Sequence, residues 1–483
     1  MNINKTYSRR PTTQTKVGNI YIGSHSPVRI QTMANTSTND IEGSVAQAQR
    51  CIAAGAELIR FTTQGMREVE SLKEIHKRIN SPFPLKEGAC RKSVIFPYEW
   101  SVGVPLVADV HFQADVADAA AKAVEKVRIN PGNYIDPARK FKHIDYTDEE
   151  YQAELGRLRE RFTRLLDICK AHHTAIRLGV NHGSLSDRIM SRYGDTPAGM
   201  AESVMEFLRV AVRERFMNIV ISVKASNTRV MVDTVRLLVR QMDHAGMAFP
   251  LHLGVTEAGE GEDGRIKSAV GIGALLADGI GDTVRVSLSE APENEIPVAR
   301  ALVDYFANSQ SIRYEDNTHI EVEGDTVYYA NNDTDWGLFQ LHASAECGRL
   351  LWEHNATHLV LNNRAFGAEE LERLSKDILQ AARVRIYKTE YISCPGCGRT
   401  LFDLEKTIAA VKAATAEFTG LKIGVMGCIV NGPGEMADAD YGYVGAGRGR
   451  VSLYRGKECV LKNIPQEEAV GALLELIRND TLQ

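Results

Sequence analysis

The sequence predicts an α/β protein: a (β/α)8 TIM barrel, then a short middle region and a small α+β domain. Eight short apolar runs rich in β-branched residues alternate with longer amphipathic stretches. Strands buried on both faces read as continuous apolar runs and pair in parallel, and eight strand–helix units favour a closed barrel over an open sheet. We expect barrel strands at 28–33, 57–63, 105–110, 126–132, 175–180, 218–226, 250–259 and 283–289.

The regular alternation of predicted strands and helices ends after about residue 300. A chain of 483 residues is too long for one ordinary domain. We expect the barrel over 1–300, a middle region over 301–385 and a last domain over 386–483. A charged helix over 145–172 is predicted between the fourth and fifth barrel strands. The last domain should contain a helix, a strand, a hairpin and a closing helix over 466–478.

Composition narrows the class of protein. The net charge of −5 gives no basic surface field, which argues against binding of nucleic acid. No run of apolar residues is long enough for a transmembrane helix, and the N-terminal residues lack the apolar core of a secretory signal. The eight cysteines are therefore expected to be reduced thiols. We expect a cytoplasmic enzyme that binds neither nucleic acid nor a membrane.

Polar and charged side chains stand at the carboxyl ends of the predicted barrel strands, where barrel enzymes place catalytic residues. A cation inside an apolar strand is costly unless it is paired, and Asp109 and Glu257 cannot neutralise all the cations found there. Arginine suits phosphate oxygens, so the rim predicts a phosphate or diphosphate ligand. No P-loop motif is present. The candidates are Arg60, Asp109, His111, Arg128, Asn130, Arg177, Asn181, Lys224, His252, Glu257, Arg285 and Ser287.

The stretches SCPGCGR and GCIVNGPGE place Cys394, Cys397 and Cys428 in one small domain. A Cys-x-x-Cys pair with a third cysteine indicates a metal site. For a fourth ligand the sequence offers Cys459 or an oxygen donor such as Glu435, which follows a Gly-Pro-Gly turn. A carboxylate is a weak ligand beside thiolates. An iron–sulfur cluster held in this way would have one exchangeable corner at which a substrate could bind.

These two stretches, together with LHLGVTEAGEGEDG and NHGSLSDRIM, resemble the 4-hydroxy-3-methylbut-2-enyl diphosphate synthase family, known as IspG or GcpE. The resemblance covers residues 5–300 and 386–480. It implies a barrel joined to a domain related to sulfite-reductase-like folds that holds a [4Fe–4S] cluster. The implied cluster ligands are Cys394, Cys397, Cys428 and Glu435.

The resemblance also implies a reaction. The family reductively opens and dehydrates 2-C-methyl-D-erythritol 2,4-cyclodiphosphate in the non-mevalonate (MEP) isoprenoid pathway, with two electrons from reduced flavodoxin or ferredoxin. Glu257 matches the family's proposed proton donor or orienting group. Glu435 would act by releasing the metal, and the rim residues match positions that bind or surround the diphosphate.

The middle region departs from the family pattern. The barrel resembles long family members, but residues 301–385 are too few for the second barrel-like insert of those proteins. In short members the cluster domain of one subunit caps the barrel of its partner. We therefore expect a homodimer, and the sequence leaves open which barrel meets the cysteines.

Two alternatives remain at the level of sequence. One is a barrel enzyme that acts on another phosphorylated or pterin-like substrate and holds a structural zinc at its cysteines. The other is an iron–sulfur sensor protein that reports oxygen or iron.

Overall fold

A short hairpin precedes the barrel and closes its amino-terminal end. The computed structural model describes residues 8–80, 103–135, 145–308, 318–429, 434, 436 and 438–481. The hairpin consists of β1 (Thr15–Val17) and β2 (Ile20–Ile22), paired antiparallel. Its buried apolar side chains pack against residues near the start of four barrel strands, which are Leu58, Val107, Ala175 and Val220. This packing seals the barrel floor, so that only the opposite end can admit a ligand.

Eight parallel strands form the barrel in the order β8-β7-β6-β5-β4-β3-β10-β9. A parallel bridge between Ile221 and Leu251 joins the two ends of this order and closes the sheet. All eight strands predicted from the sequence occur, although the last two are two residues long where longer strands over 250–259 and 283–289 were expected. They are β3 (Arg29–Met33), β4 (Leu58–Thr63), β5 (Leu106–Val110), β6 (Lys126–Ile129), β7 (Ala175–Asn181), β8 (Ile219–Lys224), β9 (His252–Leu253) and β10 (Thr283–Val284).

The helices of this part surround the barrel. The charged helix expected before the fifth strand begins with a capping box, in which Thr147 and Glu150 satisfy each other's backbone N–H groups. The last barrel helix continues past residue 300, where the sequence suggested a boundary. The helices are α1 (Ile41–Ala53), α2 (Met66–Asn80), α3 (Ala114–Ala120), α4 (Asp148–His172), α5 (Asp187–Tyr193), α6 (Pro197–Arg213), α7 (Thr228–His244), α8 (Gly261–Ala277) and α9 (Pro292–Asn308).

The described middle region is a small three-stranded sheet with two helices. Its central strand pairs antiparallel with the first and parallel with the third, which makes a βαβ unit rather than a second barrel. Its buried side chains belong to the same hydrophobic core as the barrel. The elements are β11 (Thr318–Glu323), β12 (Thr326–Asn331), α10 (Trp336–Glu353), β13 (His358–Asn362) and α11 (Ala368–Ala381).

Glycines allow α8 and α10 to pack closely. A methyl group on Gly273 would lie 2.5 Å from Cβ of Ala345, and one on Gly348 would lie 2.7 Å from Val270. Helix α8 is apolar around most of its circumference, as expected for a helix covered on both sides. The middle region is thereby fixed to the barrel through α8.

The C-terminal domain contains a five-stranded sheet in sequence order, with its first three strands parallel. The helix, strand, hairpin and closing helix predicted from the sequence all occur, whereas the short first strand was not anticipated. The elements are β14 (Glu390–Ser393), α12 (Leu404–Thr415), β15 (Lys422–Met426), β16 (Tyr441–Gly447), β17 (Arg450–Arg455), β18 (Glu458–Pro465) and α13 (Gln466–Thr481).

None of the helices in the described parts of the chain is long and apolar enough to span a membrane.

Replacing Gly273 by alanine should weaken the attachment of the middle region. The added methyl group would force α8 and α10 apart, and such overpacking costs about 1–3 kcal/mol. Gly156→Ala on α4 is a matched control, because a methyl group there meets nothing within 4 Å and a helical alanine is favoured over glycine by about 1 kcal/mol. The free energy of unfolding in denaturant should fall for the first variant and rise slightly for the second. Equal stabilities would contradict the packing described for α8.

Candidate active site

One cavity lies between the open end of the barrel and the C-terminal domain of the same chain. Both parts contribute side chains to its wall, and both sets include residues predicted from the sequence. The barrel contributes Met33, Arg60, Asp109, His111, Arg128, Arg177, Asn181, Lys224, Thr256, Glu257, Arg285 and Ser287, and the C-terminal domain contributes Cys394, Pro395, Gly396, Cys397, Arg399, Thr400, Met426, Gly427 and Cys428.

The barrel strands bring the cations together. Arg128 on β6 is in register with both Asp109 on β5 and Arg177 on β7. Arg128 donates to Asp109 at 3.1 Å and to the carbonyl oxygen of Gly179 at 2.9 Å. Arg285 pairs with buried Glu295 at 2.9 Å. These two arginines are therefore neutralised within the barrel.

The positive charge of Arg60 and Arg177 is not neutralised in this way. Arg177 is 1% exposed, and its buried Nε and Nη1 atoms have no hydrogen-bond partner among the described residues. Arg60 donates to the sulfur of Met33, which is a weak acceptor. Buried donors without good acceptors are costly. The cavity therefore offers donors to a ligand that can accept several hydrogen bonds.

Burial and mutual repulsion change the ionisation of these groups. Burial lowers the pKa of Lys224 well below its usual value, and the nearby arginines lower it further. Burial has the same effect on Arg60, whose pKa falls to about 10. Burial would raise the pKa of Asp109, but Arg60 and Arg128 outweigh it and lower the pKa well below its usual value. Negative charge is favoured in this cavity, and further positive charge is not.

His111 is neutral at physiological pH in this environment. Burial and the charge of Arg128 lower the pKa of His111 to about 3. A neutral imidazole can donate or accept one hydrogen bond without adding charge to the cavity.

Glu257 follows β9 and lies 2% exposed in the cavity wall. Its φ of 48° is in the left-handed region that side chains other than glycine rarely adopt. Such conformations persist where the surrounding structure imposes them, and they cluster at functional sites. The next residue, Ala258, forms a parallel bridge with Ser393 of the C-terminal domain. The position of Glu257 is therefore tied to the contact between the two domains.

The three cysteines meet because β14 and β15 are parallel neighbours. Cys394 directly follows β14, and Cys428 follows β15 by two residues. The backbone N–H of Gly427 donates to Cys394 Sγ at 3.3 Å. Gly396, between Cys394 and Cys397, has a φ of +70°, a conformation suited to glycine. Thiols that face one cavity and receive a backbone N–H are suited to metal ligation.

The five-stranded sheet limits which residue can be the fourth metal ligand. Cys459 lies on β18, which is three strands from β15, or roughly 14 Å at the usual strand spacing. It is absent from the described wall of the cavity, so an oxygen donor is the better candidate. Glu435 lies outside the described residues, although Gly434 and Met436 on either side are described.

The C-terminal domain packs on its own barrel. Ser289 Oγ, in the loop after β10, donates to the carbonyl oxygen of Cys394 at 2.9 Å and lies 2.9 Å from Ser393 Oγ. Lys412 of α12 pairs with Glu260 at 2.9 Å, just before α8. The cavity therefore has both of its walls within one chain. The predicted homodimer stays a prediction.

Two predicted residues lie away from the cavity wall. Asn130 donates to Ser184 Oγ at 3.1 Å and accepts from the N–H of Gly132, so it shapes the loops after β6 and β7. His252 is buried within the barrel beside Thr283. Their roles as substrate residues stay predictions.

Arg399 is a cavity residue that the sequence analysis missed. It stands in the quoted motif SCPGCGR, and its position two residues after Cys397 was the available signal.

Family models match both ends of the chain. The GcpE TIM-barrel domain matches residues 12–300, and the GcpE protein C-terminal domain matches residues 390–479. The chain belongs to the GcpE family. The family and the TIM-barrel fold predicted from the sequence are therefore confirmed.

Curated relatives of the GcpE family align over nearly the whole chain. The 4-hydroxy-3-methylbut-2-en-1-yl diphosphate synthase (flavodoxin) of Parabacteroides distasonis is 45% identical over 619 residues, which cover 98% of each protein. The corresponding enzyme (ferredoxin) of Synechococcus sp. strain JA-3-3Ab is 42% identical over 475 residues, which cover 98% of this chain and 92% of that protein. Among solved structures, Xanthomonas albilineans dihydropteroate synthase has a TM-score of 0.37 and 14% identity over 61% of this chain and 98% of that chain.

The first of these alignments is longer than the 483 residues of this chain. The Parabacteroides relative therefore contains segments that have no counterpart here. The two family-model matches leave the middle region unmatched. This chain is thus shorter than that GcpE relative.

Gly183→Ala should separate the C-terminal domain from the barrel. A methyl group on Gly183 would lie 1.9 Å from the carbonyl oxygen of Gly434, a contact between two backbones that cannot give locally. Gly246→Ala is the matched control, since Gly246 has a similar φ of +67° and open space around it. Small-angle X-ray scattering should show a larger radius of gyration for Gly183→Ala alone. Identical scattering from both variants would contradict the described contact.

Proposed function

We propose that this chain catalyses the reductive ring opening and dehydration of 2-C-methyl-D-erythritol 2,4-cyclodiphosphate to 4-hydroxy-3-methylbut-2-enyl diphosphate. Two electrons and two protons are taken up, the ring opens at a carbon–oxygen bond of the tertiary carbon, and one water leaves. The observation that carries the proposal is the cavity itself, in which cations of the barrel face three cysteines of the C-terminal domain.

The barrel residues would bind the diphosphate. Arg60 and Arg177 line a buried, electropositive cavity, two donors of Arg177 have no partner among the described residues, and Lys224 lies beside both arginines. A diphosphate supplies acceptor oxygens for these donors and the negative charge that the cavity favours. The same cations would stabilise negative charge that develops on the diphosphate when the ring opens. Asn181 and Ser287 offer neutral donors in the same wall.

Glu257 would donate a proton at the reacting end of the substrate. Its side chain is buried in the wall of the cavity that the cations and the cysteines also line. A carboxylic acid at this place could protonate the oxygen that leaves as water. Contacts between the two domains, such as that of Ser289 with Cys394, would limit the access of bulk water to this region.

Cys394, Cys397 and Cys428, with Glu435 as the fourth ligand, would hold a [4Fe–4S] cluster, which supplies electrons one at a time when it is bound. Membership of the chain in the GcpE family favours the cluster over the structural zinc of the alternative.

A small electron-transfer protein would reduce the enzyme. The relative from Parabacteroides distasonis carries flavodoxin in its name, and the relative from Synechococcus carries ferredoxin. We assign this chain a donor of that class.

Cluster content tests the assignment of the cysteines. Protein purified without oxygen should contain about four irons and four sulfides per chain, and Cys428→Ser should lose most of both together with turnover. Cys347→Ser is the control, because this cysteine is buried in α10 and is remote from the cavity. Electron paramagnetic resonance of the reduced wild type should change when the cyclodiphosphate is added. Stoichiometric zinc without sulfide would instead favour the zinc alternative.

Substrate affinity tests the anion site. Arg177→Ala should weaken binding of the cyclodiphosphate by about 2–4 kcal/mol, because it removes a buried cation from the charge that the site presents. Arg213→Ala, at an exposed position on α6, should leave binding unchanged. Isothermal titration calorimetry under anaerobic conditions measures both values. Equal affinities would remove Arg177 from the site.

A further inference from the structure

Arg399 is the cation that the described part of the C-terminal domain contributes to the cavity. Its side chain is 7% exposed, and its Nη2 lies 3.9 Å from Asp109 Oδ2 across the boundary between the two domains. That distance is too long for a hydrogen bond, and Asp109 already accepts from Arg128. The buried Nε and Nη1 atoms of Arg399 have no hydrogen-bond partner among the described residues.

Cys397 accepts a hydrogen bond from this guanidinium, but the Nε and Nη1 atoms have no acceptor among the described residues, so stability alone does not explain the burial of Arg399. Burying charged donors without acceptors is costly, and a structural arginine would be expected to have both faces of its fork paired. The loop that carries Arg399 is nevertheless fixed. The N–H of Cys397 donates to Thr400 Oγ1 at 3.0 Å, and a methyl group on Gly398 would lie 2.7 Å from the carbonyl oxygen of Thr36 in the barrel. The fold therefore places the guanidinium in the cavity despite its cost.

The position of Arg399 relates it to both halves of the site. On one side lie the barrel cations, and the charge of Arg399 adds to the repulsion felt by Arg60. On the other side lie Cys397 and Cys428, in the same wall of the cavity. The guanidinium of an arginine stays protonated at physiological pH in proteins. Arg399 thus keeps its charge between an anion site and the cysteines.

We propose that Arg399 is a specificity-determining residue that completes the diphosphate site from the C-terminal domain and couples substrate binding to the reduction potential of the cluster. This inference rests on the proposed function and adds a named residue to it. One edge of the guanidinium would donate to the diphosphate, and the charge would at the same time act on the cysteine ligands.

The coupling follows from the charge of Arg399. A cation beside thiolate ligands stabilises the more negative, reduced cluster and raises its potential. A bound diphosphate would offset part of that charge, so substrate binding should change the potential. Linkage requires the converse as well, so the reduced and oxidised proteins should bind the substrate with different affinities.

The test compares Arg399→Gln, Arg399→Lys and Arg478→Gln with the wild type, each purified without oxygen and assayed for iron and sulfide. Arg478 is an exposed arginine of the same domain, paired with Glu417 on the surface, and serves as the control. Dissociation constants for the cyclodiphosphate and for inorganic pyrophosphate come from calorimetry. Midpoint potentials with and without cyclodiphosphate come from a titration followed by electron paramagnetic resonance.

We expect Arg399→Gln to weaken cyclodiphosphate binding on the order of thirtyfold. Its midpoint potential without substrate should be more negative than that of the wild type, and the change in potential on adding substrate should shrink. Arg399→Lys, which keeps the charge but not the fork, should recover most of the potential and only part of the affinity. Arg478→Gln should match the wild type in every measurement.

The outcomes separate this inference from the proposed function. Suppose that the wild type binds the cyclodiphosphate and that Arg399→Gln binds it with the same affinity and shows the same change in midpoint potential on adding it. That result would overturn the role of Arg399 and leave the proposed function intact. Wild-type protein that binds neither the cyclodiphosphate nor pyrophosphate would overturn both. If Arg399→Gln loses its iron, the inference is tested with Arg399→Lys instead. An Arg399→Lys protein that contains the cluster and has wild-type affinity and midpoint potential would show that the guanidinium fork is dispensable and would overturn the inference.

Discussion

The structure depends on an excess of buried positive charge at the open end of the barrel. Arg60, Arg177 and Lys224 are buried close together at the open end of the barrel, and burial lowers the pKa of each. Such an arrangement is unfavourable for the protein alone. It becomes favourable when a polyanion occupies the cavity, which makes the affinity for a diphosphate a consequence of the electrostatics of the barrel.

The second constraint is the closure of this site by the C-terminal domain. The parallel pairing of β14 and β15 puts the cysteine loops at one edge of a sheet, and that edge packs against the loops of the barrel. The contacts are short-range and polar, such as Ser289 with Cys394, and in places they join backbone to backbone, as at Gly183 and Gly434. The electron-transfer group and the anion site are therefore brought together by packing that tolerates little added volume.

The middle region connects the barrel to the C-terminal domain, so that the C-terminal domain can cover the barrel of the same chain. Helix α10 is packed on α8 of the barrel, and α11 ends shortly before β14, the first strand of the C-terminal domain. Two salt bridges reinforce this connection: Lys388 pairs with Asp263 at 2.6 Å and with Asp377 at 2.7 Å. A small βαβ unit is therefore sufficient to position the C-terminal domain here, although the Parabacteroides relative of the GcpE family has additional residues.

The sequence by itself determined the repeating strand–helix pattern, the cationic strand ends and the three cysteines. Alternation of apolar runs with amphipathic helices is a local property, and the position of a residue at the end of a strand follows directly from it. Most of the predicted site residues accordingly line the cavity. Only the tertiary structure decided which of them face it: Asn130 is used in loop contacts and His252 points into the barrel interior.

The tertiary structure also decided the partner of the cysteines and the place of Arg399. Which barrel the C-terminal domain covers depends on contacts between residues about a hundred positions apart, such as Ser289 and Cys394, and local patterns do not encode such contacts. The sequence analysis did not single out Arg399. It acquires its significance because packing buries it opposite Asp109 and leaves donors of its guanidinium facing the cavity.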